Sequence, residues 1–297
     1  MSSYALSLLT NRQLIIDITA PCDFQELLAP NEVNWSKKHY KLNGLKRKSI
    51  YCIDSTKCTD SFNEANTTDF ELDNDIITIQ LNNDWLEYFS GAKNFQSGIT
   101  KLGYQPDKFK LVYVMHKWYS KLFKLTPHLQ DQFELFLKNS NVNPQTFIVC
   151  AQIRIGGARP NVPHDSPRNH LNSTKLFWSF IRENYIANFR EDDDWKFFIT
   201  TDIEVVEKEA IEEFGSKRVI HIPGVFSHVD MEPRATACSR VEKPILDFHF
   251  LQNCDKAAVS WSGFGKLGAW NRVDPIKDLN FFLEGKWHEG SYNMTVL

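Results

Sequence analysis

Phe147-Ile-Val-Cys-Ala-Gln-Ile-Arg-Ile-Gly-Gly157 is the stretch whose reading decides the fold. From Phe147 to Ile153 the run is apolar except for Gln152, and it is flanked by polar residues. It has the length of a strand covered on both faces, and is short for a buried helix. Outward from it the pattern alternates. An amphipathic helix is predicted over Ser173–Phe189, then a strand at Trp195–Thr200 and a helix at Ile203–Phe214. A strand at Arg218–Ile222, a helix around Val241–Asn253 and the strand Lys256–Ser260 complete the series. Strand-helix alternation of this kind predicts an α/β fold with a parallel sheet and helices on both faces. Ligands of such sheets bind off the carboxyl ends of the strands.

Before this region the signals are sparser. Tyr4-Ala-Leu-Ser-Leu-Leu-Thr10 reads as the last turns of a buried helix and Gln13-Leu-Ile-Ile-Asp17 as a short strand. Two further strands are predicted at Lys48–Ile53 and Asp75–Leu81. Apolar residues three and four apart, Val114, Trp118 and Leu122, then Leu129, Phe133, Phe136 and Leu137, predict two helices broken at Thr126-Pro127. Pro127 takes an early helical position, where its missing N–H does no harm. The turn-rich Asn139-Ser-Asn-Val-Asn-Pro144 marks a domain boundary near residue 143. An α/β domain ordinarily places a strand and a phosphate-facing loop before its first helix, so the first domain is expected to be truncated at its start.

With 34 basic and 37 acidic residues among 297, the chain has no general attraction for nucleic acid or anionic lipid, and any anion site must be local. The acidic run Glu191–Asp194 reads as a solvated loop. The cysteines are too scattered for a zinc site; Cys52 and Cys58 could form a disulfide or remain free thiols. Sequons at Asn34, Asn66, Asn172 and Asn293 permit a secretory location.

Three strand ends in the second half finish in polar or glycine-rich clusters, and a parallel sheet brings all three to one edge. The first is Gln152-Ile-Arg154-Ile-Gly156-Gly157, where glycines let backbone approach a ligand while a guanidinium offers a fork of donors. The second, Thr200-Thr201-Asp202, suits either helix capping or sugar hydrogen bonds. The third, Ser260-Trp-Ser262-Gly263-Phe264-Gly265, suits a turn that aims backbone N–H groups at an anion. It lacks the spacing of the dinucleotide and P-loop fingerprints. Asp247 stands in the apolar helical run Ile245–Leu251 and must find a partner or face a ligand, while His249 reads as a packed or surface histidine.

Taken in order, these pieces resemble the fucosyltransferase superfamily of GT-B fold, which includes the α1,6-, plant xyloglucan and protein O-fucosyltransferases. The likeness rests on the Arg-containing strand end, Phe198-Ile-Thr-Thr-Asp202, Ile245-Leu-Asp-Phe-His-Phe-Leu251 with Cys254-Asp255, and Ser260-Trp-Ser-Gly263. In the first half Leu8–Asp17 and Phe123–Pro127 add to it. The resemblance implies two facing Rossmann-like domains: an incomplete acceptor-side domain over 1–143 and a nucleotide-sugar domain over 144–297. It implies inverting transfer of fucose from GDP-fucose to a glycan or protein hydroxyl, without a metal or other cofactor. It also implies a Golgi or ER lumen and membrane attachment only through an anchor missing from this chain.

By the same correspondence Arg154 would act on the leaving phosphate. Gln152, Gly156 and Thr201 would line the donor, Asp202 and Asp247 the guanosine, and Ser262, Gly263 and Phe264 the phosphates. Asp165 and the adjacent His164 are the nearest candidate bases. Where many members carry His and Asp around the Arg, this chain has Gln152 and Gly157, and the family's Gly-x-Gly-Asn-Arg loop is absent. These departures admit an alternative, a catalytically inactive nucleotide- or glycan-binding relative.

Overall fold

A computed structural model describes residues 1–52, 74–81, 84–157, 165–227 and 237–290 of the chain. Cys58, the sequons at Asn66 and Asn293, and His164 lie outside the described residues. In chain order the elements are α1 (Ser2–Leu9), β1 (Leu28–Pro30), β2 (Arg47–Cys52), β3 (Ile76–Leu81), α2 (Leu86–Gly91), α3 (Lys93–Lys101) and α4 (Leu111–Leu122). Next come β4 (Phe123–Leu125), α5 (Pro127–Asn139), β5 (Phe147–Ile153), α6 (Thr174–Ile181), β6 (Trp195–Thr201) and α7 (Glu204–Phe214). The last are β7 (Val219–Ile220), α8 (Ala237–Phe250), β8 (Lys256–Ser260), α9 (Gly263–Trp270), β9 (Leu279–Leu283) and β10 (Lys286–Glu289).

The chain divides into two units. Among the described residues, one holds Met1–Asp17 and Pro30–Leu122, the other Ile18–Ala29 and residues 123–290. In the first, aromatic packing replaces a large sheet: Trp118 of α4 is buried with Tyr4 of α1 at 5.2 Å and Phe109 at 5.7 Å, both edge to face. β2 and β3 pair in parallel from Arg47↔Ile76 to Cys52↔Leu81. The strand predicted at Gln13–Asp17 is reduced to one parallel bridge, Ile16↔Ser36.

The division falls at Phe123, some way before the turn at 139–144 that sequence marks as the boundary. The reason is packing. α5 carries Phe133 and Phe136 against Phe250 of α8, at 6.2 and 5.5 Å, and Phe136 also meets Phe198 of β6. Apolar burial of that size ties α5 to the second unit, and a turn rich in Asn and Pro is then only a helix–strand connection.

The second unit is built on one sheet with strand order β10-β9-β8-β5-β6-β7. Strands β5 to β9 run parallel and β10 closes the edge antiparallel to β9. β5 and β6 are buried almost throughout, which is why neither shows polar alternation. On one face Val149, Ala151 and Ile153 pack with Phe177, Trp178 and Ile181 of α6 and Val206 and Ala210 of α7. A disulfide joins Cys150 of β5 to Cys254 before β8, and a second joins Cys22 to Cys238. The β9–β10 hairpin turns through Glu284 and Gly285, both at positive φ; the sequence reading left this region unassigned.

α8 contains Pro244, which cannot donate to the carbonyl of Arg240. The Ser227 hydroxyl takes that place, donating to Arg240 O at 2.6 Å and tying the loop before α8 to the helix.

Candidate functional site

The register of the sheet sets the site. Ile153 of β5 is level with Thr201 of β6, and Gln152 is level with both Thr200 and Val259. The residues that follow, Arg154, Asp202 and Ser260–Ser262, therefore meet at the carboxyl edge. The three clusters singled out in the sequence do converge.

The Arg154 backbone is fixed from both sides. Its N–H donates to Ser260 Oγ at 3.0 Å, and Asn169 Nδ2 donates to its carbonyl at 2.7 Å and to Ser260 Oγ at 3.1 Å. The chain then turns through Gly156 and Gly157, at φ +68° and +90°. A Cβ on Gly156 would lie 2.4 Å from Ser166 O, so this position is closed to any side chain. Residues 165–169 return across the turn: Gly156 bridges Pro167, and Arg168 N donates to Ile155 O at 2.8 Å.

Asp202 closes the same turn. Its two carboxylate oxygens accept from Ile155 N at 2.9 Å and Gly156 N at 2.8 Å. The sequence reading allows Asp202 to cap a helix over Ile203–Phe214, but α7 begins at Glu204 with Ile203 before it, and Thr201 Oγ1 accepts from Ile203 N at 3.4 Å. Two converging amides of a left-handed turn bind a carboxylate more strongly than a helix end does, which explains the correction.

The Arg154 side chain donates to Asp165 Oδ1 at 2.7 Å; the two side chains are 20% and 5% exposed. Asp165, expected near the base position, is thus an ion-pair partner that aims the guanidinium. A guanidinium carries five N–H donors in one planar fork.

Gln152 and Ser262 meet, with the Ser262 hydroxyl 3.3 Å from Gln152 Oε1. Ser262 also caps α9 by accepting from Gly265 N at 3.1 Å. Gly265 lets Gln152 in, since a Cβ there would be 2.2 Å from Oε1. Gly263 is exposed, with open space where a Cβ would stand, and Phe264 packs edge-on to Phe248 at 5.7 Å.

Asp247 is turned inward and 3% exposed. It accepts from Thr200 Oγ1 at 2.8 Å and from Lys243 Nζ at 2.9 Å, while Lys243 also lies 3.4 Å from Glu207. Burial pushes the Asp247 carboxyl up, and Lys243 opposes that shift. His249 is packed edge-on against Phe133 at 5.0 Å, and burial pushes its pKa down to about 4.

Three residues of the site escaped the sequence reading. Lys243 stands four residues before Asp247 on α8, a spacing that brings side chains together and could have been recognised. Asn169 carries no signal, because its role exists only when the loop returns. Lys266 is 2% exposed on α9 with Nζ 4.1 Å from the Trp261 ring, and burial pushes its pKa down to about 8.

No protein-family model and no curated protein matches the sequence. Among solved structures, a mutant of Arabidopsis thaliana FUT1 in complex with GDP matches with a TM-score of 0.65 at 13% identity, over 94% of this chain and 65% of that one. The NodZ α-1,6-fucosyltransferase co-crystallised with GDP matches at 0.54 and 11% identity, over 97% of this chain and 93% of that one. NodZ from Bradyrhizobium matches at 0.52 and 12%, over 97% and 94%. The fold is fucosyltransferase-like. The α/β architecture expected from strand-helix alternation is therefore present, and the chain spans 65% of the length of the Arabidopsis protein it matches.

Proposed function

We propose that the second unit binds GDP-fucose and that the protein transfers fucose, with inversion, to a glycan or protein hydroxyl. One observation carries the reading: Arg154 sits at the carboxyl edge of the sheet, beside a capped helix N-terminus, its backbone held by two hydrogen bonds involving Ser260 and Asn169, its guanidinium by an ion pair with Asp165, and the turn after it by two hydrogen bonds to Asp202. Solved fucosyltransferase structures of the same fold hold GDP or were soaked with GDP-fucose.

The chemistry follows from the charge. As the fucosyl–phosphate bond breaks, negative charge grows on the departing diphosphate. A guanidinium that is already oriented stabilises that charge more than the bound donor and needs little reorganisation. The α9 N-terminus adds backbone donors at Gly263 and Phe264, and among the described residues no atom lies within 4 Å of where a Cβ on Gly263 would stand. On this reading the charge is met by protein donors without a metal. Asp202 and Asp247 shape the edge through Gly156, Thr200 and Lys243 instead of touching guanosine, and Asp165 positions Arg154 instead of serving as base. The two disulfides support an oxidising compartment, as in the secretory-pathway lumen.

The test is thermal unfolding of the whole chain with GDP, then transfer with a panel of nucleotide sugars. GDP at about 100 times its Kd raises stability by about 2.7 kcal/mol, and Arg154→Ala removes that rise. Stabilisation by UDP or ADP in place of GDP overturns the donor assignment.

Gly157 favours a second reading. Its φ of +90° is a conformation that disfavours an Asp at the position where many fucosyltransferases carry one. A catalytically inactive nucleotide- or glycan-binding relative would bind GDP yet neither hydrolyse nor transfer the donor.

A further inference from the structure

Asn172-Ser-Thr174 is one of the chain's Asn-x-Ser/Thr sequons, and the donor reading does not use it. It lies in the second unit, on the 3-10 turn Leu171–Ser173 that leads into α6. Asn172 is exposed, whereas Thr174 is 1% exposed. The Thr174 hydroxyl lies 2.8 Å from Leu171 O and 2.7 Å from Glu209 Oε2 of α7. A hydroxyl held in this way is out of reach once the chain has folded, while the Asn172 amide stays at the surface. The sequon is therefore readable on the unfolded chain, and a group attached to Asn172 is left outside the fold.

The neighbours of Asn172 make a second, independent point. Leu171 and Leu176 are 39% and 48% exposed, one on each side of it in the chain. Leu176 follows Asn172 by four positions of helical backbone, a spacing that brings side chains to one face. A bulky, hydrophilic group on Asn172 shields those two leucines from other apolar surfaces. The sequon at Asn34 is placed differently. Asn34 Oδ1 accepts from Ser36 N at 3.3 Å, its carbonyl accepts from Gln13 Nε2 at 2.7 Å, and Trp35 beside it is fully buried. Asn34 is thus part of a turn that the fold itself uses.

We propose that Asn172 is a site of N-linked glycosylation. The proposal rests on the reading that the protein matures in an oxidising secretory lumen. There Asn172 Nδ2 attacks the anomeric carbon of an oligosaccharide carried on a lipid diphosphate. An N–C bond forms, and the C–O bond to the diphosphate breaks with its electron pair passing to the departing lipid diphosphate. Nδ2 gives up one proton to solvent. The lipid-linked oligosaccharide and its transferase both belong to that lumen. Modification precedes folding, because the Thr174 hydroxyl that completes the sequon is afterwards buried. Folding then leaves the glycan beside Leu171 and Leu176.

The whole protein, purified from its own cells, is mapped by peptide mass spectrometry before and after enzymatic removal of N-glycans. The same digest reads whether Cys22 is joined to Cys238 and Cys150 to Cys254. The expected result is a glycan on the peptide holding Asn172, which the deglycosylating enzyme converts to Asp, with both disulfides formed. Asn172→Gln made in the same cells loses that glycan. Releasing the glycan from the folded protein raises binding of a fluorescent apolar dye. Disulfides formed with Asn172 unmodified overturn the proposal and leave the compartment standing. Free thiols with Asn172 unmodified overturn the compartment reading and the proposal with it. An unchanged dye signal overturns the shielding of Leu171 and Leu176.

Discussion

Removing the Asp202 carboxylate tests whether it builds the Arg154 turn or touches the ligand. Its two oxygens accept from Ile155 N and Gly156 N at 2.9 and 2.8 Å, and Gly156 is held at φ +68°. Hydrogen bonds to an ionised group contribute about 1.5–3 kcal/mol each, and the partial exposure of Asp202 argues for the lower end, so Asp202→Ala should lose about 3 kcal/mol. For a domain of 150–250 residues that is a fall in Tm of about 6–12 °C. Asp202→Asn keeps the size but sets an amide donor against a backbone N–H, so it should recover less than half of the loss. The assay is urea unfolding with and without GDP. If Asp202 acted only on the ligand, both variants would unfold with the wild type in the absence of GDP and differ only in its presence. An Asp202→Ala midpoint within error of wild type, without nucleotide, refutes the reasoning.

Gly156→Ala should destabilise by about 2 kcal/mol or more, since a Cβ there meets Ser166 O at 2.4 Å at positive φ, and it should weaken GDP protection; urea midpoints measure both. His249 has its pKa pushed from 6.5 down to about 4, so the unfolded chain takes up its proton first as pH falls. The associated stability is complete above pH 6.5 and declines toward pH 4, by about 1–2 kcal/mol at pH 5; His249→Gln should flatten that limb of the urea profile relative to wild type. Cys150 and Cys254 are separated by 104 residues, and the Cys150→Ser/Cys254→Ser pair should lose about 4–5 kcal/mol by chain entropy, read as a lower Tm that a reductant does not lower further through this bond.

Much of the second unit can be read from its sequence because its signals are local. Continuous apolar runs can only be strands covered on both faces, and they form β5, β6 and β8 close to the predicted bounds. Pro127 after Thr126 starts α5 as predicted. The helix expected over 173–189 instead leaves α-geometry at Ile181 for a π turn over Arg182–Ile186, where Tyr185 swings inward to donate to Ala257 O at 2.8 Å. That choice depends on a strand more than seventy positions away in the chain.

The same distinction holds at the site. Sequence alone determined which strand ends finish in polar or glycine-rich clusters and that a parallel sheet would gather them at one edge, because period and turn composition are properties of neighbours in the chain. Only the tertiary structure decided what each polar group does there. Asp202 closes the Arg154 turn, Asp165 aims the guanidinium, Asp247 pairs with Lys243, and Asn169 holds Arg154 against Ser260. A carboxylate near a strand end can cap, pair or bind. Which of these wins depends on the donors that folding brings within about 3 Å, and apart from the four-residue spacing of Lys243 and Asp247 no local pattern encodes them.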